Sequence, residues 1–105
     1  DPSASELTYR RLYDLARTLL AAGWSVIVDA AFLERQRRDV FHALARQAGV
    51  AFHIVAPQST PAQLRARVRG RQAKGGNASE ATLAVLERQL AGIEALQADE
   101  MACVL

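Results

Sequence analysis

Much of what would point this sequence to a familiar function is scarce or absent. One cysteine, Cys103, excludes an intramolecular disulfide and a cysteine-rich metal site, and a reducing, cytoplasmic setting is expected. No apolar run approaches membrane-spanning length and the first residues do not resemble a signal peptide, so no membrane partner is expected. Aromatic residues make up 6% of the chain, are not interleaved with arginine, and accompany a net charge of only +2. That ranks nucleic acid last among the partners. His53 lies in an apolar run and His42 in a helical one, with no Cys/His cluster at metal-ligand spacing. No Ser-His-Asp set or nucleophile elbow is present. A phosphate loop, G-x-x-x-x-G-K-[ST], is absent too. Gly70 and Gly75 have its glycine spacing, but Gly76 stands where the lysine belongs and no strand precedes it.

What is present suits one small domain of 105 residues, half of them hydrophobic. Lys74 is the only lysine, and the other basic residues are arginines, the side chain that grips phosphate or carboxylate with two donors. The chain is organised around Trp24–Asp29, WSVIVD, an apolar β-branched run between amphipathic segments. It reads as a buried parallel strand. A first helix, capped by Ser3 or Ser5, reaches about Ala22 and stops at Gly23. A second spans about Arg35 to Ala48 and stops at Gly49. Val50–Ala56 reads as a second strand. Thr60-Pro61 opens a third helix with a Thr60/Gln63 capping box, running to about Lys74. Gly75-Gly76-Asn77 breaks it. A fourth helix runs from near Ser79 to near Asp99, and Met101–Leu105 reads as a third strand. The order helix-strand-helix-strand-helix-helix-strand predicts an α/β fold, a parallel sheet flanked by helices. The opening without Met and the apolar close at Ala102–Leu105 read as the ends of a piece of a longer protein.

Two groups of residues carry candidate chemistry. Asp29 ends the central strand, where ligands gather in open α/β sheets. Its carboxylate suits Mg²⁺ held through water, or a general base, and equally a helix cap. Arg35, Arg37 and Arg38 follow on the next helix, at the end where cations oppose the dipole. In the third helix, Arg65 and Arg69 fall on a face expected to be solvated. Arg67, Arg71 and Lys74 form an i, i+4, i+7 stripe beside Leu64 and Val68. Like charges so spaced repel slightly, and keeping them invites an anion. A plain solvated basic face is the other reading. The Gly75-Gly76-Asn77 break suits a hinge or a lid tip, or an ordinary turn.

The stretch AGWSVIVDAAFLERQRRDVFHALARQAGVAFHIV, followed by the arginine-rich helix and GNASEATLAVLERQ, resembles P-loop kinase-like AAA-family ATPases. These are relatives of polynucleotide kinases, gluconate kinases and zeta toxins. The resemblance covers about Tyr9 to Leu105. It implies a P-loop NTPase-like three-layer α/β/α domain over 1–105, incomplete here, with residues 61–79 as a lid-like helix and turn. It makes Asp29 the Walker B-type carboxylate, touching Mg²⁺ indirectly. Phe32, Leu33 and Arg38 match the family pattern, and Ala31 replaces its usual threonine. Arg67 and Arg71 are implied as catalytic phosphate clamps, with Arg38 and Lys74 also binding nucleotide phosphates. ATP and Mg²⁺ are the cofactors implied for the parent domain, through phosphoryl transfer to an acceptor that the sequence does not identify. The family's first strand and phosphate loop are not among these residues, so Trp24–Asp29 and Val50–Ala56 are expected to flank an empty slot. The 105 residues alone are then expected to be inactive and to hold neither ATP nor Mg²⁺ tightly. The competing expectation is a non-catalytic binding or oligomerisation module that associates through exposed sheet edges.

Overall fold

A computed structural model describes residues 2–56, 60–73 and 83–105. The described residues form five helices: α1 (Pro2–Ala21), α2 (Arg35–Ala48), α3 (Pro61–Ala73), α4 (Leu83–Ala91) and α5 (Ala98–Met101). They divide between two compact units, Asp1–His53 and Ile54–Leu105.

The expected parallel sheet is not formed. Among the described residues the one β feature is an isolated parallel bridge, Ile54 to Val104, and no strand is assigned. Trp24–Asp29 and Val50–Ala56 have the composition of strands, but composition supplies only a preference. A strand exists when a neighbour accepts and donates its ladder of hydrogen bonds. The strand order implied by the resemblance does not make these segments neighbours. It puts them on either side of a further strand. The three-layer α/β/α reading is corrected accordingly. Met101–Leu105, the third expected strand, is corrected as well. Gln97 and Glu100 close a reciprocal capping box, which starts the short helix α5 and leaves only Val104 in the bridge.

In the first unit, α1 and α2 pack around Ala16, Phe41 and Leu44. Tyr9, Leu12, Tyr13 and Leu20 line this core from α1, and Val26, Val28, Phe32 and Phe52 close over it. The Trp24–Asp29 segment is therefore covered on one side. Val26 and Val28 tuck inward, whereas Ile27 between them is 96% exposed. Both helices end where a left-handed residue is needed. Gly23 stands at φ 90° after α1, and Gly49 at φ 71° after α2, donating to Ala45 and Arg46 carbonyls. Ser3 and Ser5 do not flank α1 but lie within its first turn, since the helix begins at Pro2.

In the second unit, α3 packs on α4, with Val68 buried. Its capping box is formed as expected. The Thr60 hydroxyl accepts from the Gln63 N–H at 3.1 Å, and the Thr60 N–H donates to Gln63 Oε1 at 2.9 Å. Lys74 and the Gly75-Gly76-Asn77 turn lie outside the described residues, so the lid-like segment is described only to Ala73.

Candidate functional site

The described structure places the expected site residues in two different units. Asp29 and Arg38 belong to the first, Arg67 and Arg71 to the second. Asp29 is exposed, and among the described residues it has no hydrogen-bond or ion-pair partner. It does not cap α2, whose N-cap is Glu34.

The loop from Asp29 to α2 is held at one residue, Phe32, with φ 47°. Among the described residues it is the one non-glycine with positive φ. A bulky side chain in that region costs ~1–3 kcal/mol and persists only where neighbours impose it. Here they do so on every side. The Phe32 N–H donates to the Tyr9 hydroxyl at 3.0 Å. The Phe32 carbonyl accepts from Arg38 Nη1 at 2.9 Å. The Phe32 ring meets Tyr9 edge-on at 5.4 Å and Phe41 at 5.2 Å.

Arg38, expected among the phosphate ligands, is 7% exposed. Burial of a guanidinium is tolerated only where its donors are met, and the Phe32 carbonyl meets one of them. The other two arginines on the first turn of α2 also have local partners. Arg35 pairs with Asp39 one turn on at 3.3 Å. Arg37 lies 4.2 Å from the centre of the Tyr9 ring and 3.9 Å from Glu34. Tyr9 is thus contacted by the loop and by α2 together. Reading the sequence for charge and motif missed it. The only signal was its place in the Tyr9, Tyr13, Ala16, Leu20 stripe of α1, which marks packing rather than a hydrogen bond to a residue 23 positions away.

On α3, Arg67, Arg69 and Arg71 are exposed. Arg65, on the face expected to be solvated, also makes a specific pair. Its Nε and Nη2 donate to the two carboxylate oxygens of Glu87 on α4, the second at 3.2 Å, so one fork clips the helices together. That hydrogen bond is the main cause holding the Glu87 carboxyl below its ordinary range, and it raises Arg65 in turn.

The fit to a nucleotide with its metal is partial. A bare carboxylate and exposed arginines suit the water-bridged side of a magnesium ion and the charge of phosphates. The phosphate loop pattern, which provides a cradle of backbone N–H groups, is not in the sequence. Among the described residues no three His, Cys, Asp or Glu side chains gather as a metal site, and no helix is long and apolar enough to cross a membrane.

No curated protein and no solved structure shows a significant match to the chain. Residues 1–96 match the AAA domain family, in agreement with the P-loop kinase-like resemblance at the level of the family. Over that span, most of its length, the chain belongs to the AAA domain family.

Proposed function

We propose that these residues are the carboxylate-and-arginine part of an ATP-dependent small kinase or NTPase. The observation that carries this reading is the exposed Asp29, without a partner among the described residues, at the head of a loop held at Phe32, in a chain matched to the AAA domain family over residues 1–96. Asp29 then acts as the Walker B-type carboxylate, accepting hydrogen bonds from metal-bound water. Arg67 and Arg71, one turn apart on α3, offset phosphate charge as it shifts, with Lys74 as a further cation on the same stripe. Bound ATP with Mg²⁺ supplies the transferable phosphoryl group. The cradle that chemistry needs has to come from outside these 105 residues, so they are expected to be inactive by themselves. The reading places the protein in the cytoplasm, where an unpaired Cys103 stays reduced.

The test is phosphoryl transfer and ATP hydrolysis in a protein that joins these residues to a phosphate loop. Asp29→Asn and Arg71→Ala are each expected to lower turnover about 10²-fold or more. Unchanged turnover in both variants would overturn the reading.

A second reading, association of the chain through its unpaired Trp24–Asp29 segment, is favoured by the outward Ile27 side chain.

A further inference from the structure

We infer that Tyr9 and Arg38 are positioning residues that set the direction of Asp29 by locking Phe32 in the left-handed conformation. This rests on the reading of Asp29 as the working carboxylate. Among the described residues Asp29 has no partner of its own to orient it. Its direction is therefore set by the backbone on either side. Upstream, Val26 and Val28 are anchored in the core of the first unit. Downstream, the anchor is Phe32, three residues on, with its N–H and its carbonyl each given to a side chain from a different helix. Tyr9 comes from α1 and Arg38 from α2. A residue held at both its N–H and its C=O, one in each flanking peptide, has little freedom in φ and ψ. The αL geometry of Phe32 turns the chain sharply, and no local preference of phenylalanine produces it.

The two side chains are themselves fixed. Arg38 is nearly fully buried. The Tyr9 ring is sandwiched by contact with Phe32 on one side of its environment and the Arg37 guanidinium over its face. The device therefore spans α1, α2 and the loop. It gives Arg38 a task that needs no phosphate.

Amide hydrogen exchange and backbone NMR shifts of the 105-residue chain test this, with Tyr9→Phe set against Tyr13→Phe. Both changes remove one phenolic oxygen from α1 and keep the ring. Tyr13 meets Phe41 edge-on at 5.9 Å but makes no hydrogen bond to the loop. In Tyr9→Phe, exchange at the Phe32 amide is expected to rise at least about fivefold, as loss of one modest hydrogen bond implies. Shifts should move at Ala30, Ala31 and Phe32 while the core amides of α1 and α2 stay put. Tyr13→Phe is expected to leave the loop unchanged. Equal effects from the two variants, or no change at Phe32 in Tyr9→Phe, would overturn the inference.

In a protein that joins these residues to a phosphate loop, with ATP present, line broadening by Mn²⁺ separates this from the role of Asp29. Broadening near Asp29 that vanishes in Asp29→Asn and weakens in Tyr9→Phe supports a positioned metal-facing carboxylate. Broadening near Asp29 that is the same in Tyr9→Phe as in the wild type overturns the positioning claim. No broadening in the wild type overturns the metal role of Asp29, and the exchange comparison then decides the clamp by itself.

Discussion

Phe32 shows how one residue can be worth less for its side-chain type than for its backbone. Most bulky residues at positive φ are replaced by glycine without conformational penalty, but here the ring also fills space between Tyr9 and Phe41. Two variants separate those contributions. Phe32→Ala loses the ring and keeps the left-handed cost. Phe32→Gly loses the ring and sheds that cost. Phe32→Gly is therefore expected to be the more stable of the two by about 1 kcal/mol, measured by urea unfolding. Equal stabilities would mean that the loop relaxes when the ring is gone. At this scale the sequence was partly legible. Asp29 stood out as a carboxylate ending an apolar run, and it is exposed, with no partner among the described residues. Arg38 stood out as a cation, yet its burial and its bond to a carbonyl depend on a loop geometry that no residue type in the loop announces.

Helices were the most legible elements, because their signals are local. The α2 limits, Arg35–Ala48, follow from an amphipathic period and a glycine stop. The Thr60/Gln63 box fixes the start of α3. What joins α3 to α4 was not legible, since Arg65 and Glu87 are 22 positions apart. That pair makes the second unit sensitive to acid. The Glu87 carboxyl titrates lower when folded than when unfolded. Its contribution is therefore present above the ordinary carboxylate range and lost as pH falls through the folded value. Glu87→Gln is expected to lower stability near neutral pH slightly and to flatten the acid limb of the stability profile. The difference between wild type and variant should shrink at high salt, as the pair is exposed. A variant profile parallel to the wild type across the acid range would show that the clip contributes nothing.

At the scale of the whole molecule, family membership was legible, whereas the parallel sheet expected from the sequence is not formed among the described residues. The family match covers residues 1–96 and runs through both units. A sheet is a property of pairs of segments, and the sequence shows only the members. Val26, Ile27 and Val28 carry identical strand preference, but two are covered and one is bare. Ile27 therefore stabilises little and exposes much. Ile27→Lys is expected to change stability by no more than about 0.5 kcal/mol. By light scattering it should also reduce any concentration-dependent association of the chain. Association that is undiminished in Ile27→Lys would place the contact elsewhere.

Trp24 gives the same segment an optical property. It is the only tryptophan in the chain, stands at the start of Trp24–Asp29, and is 66% exposed. Its fluorescence comes from one indole and reports on one place. With the segment bare, emission is that of a water-bathed ring and is quenched by iodide. A strand laid against the segment, from any source, strips water from the indole and shifts its emission to the blue. The chain thus carries a built-in dye for any contact that covers this segment.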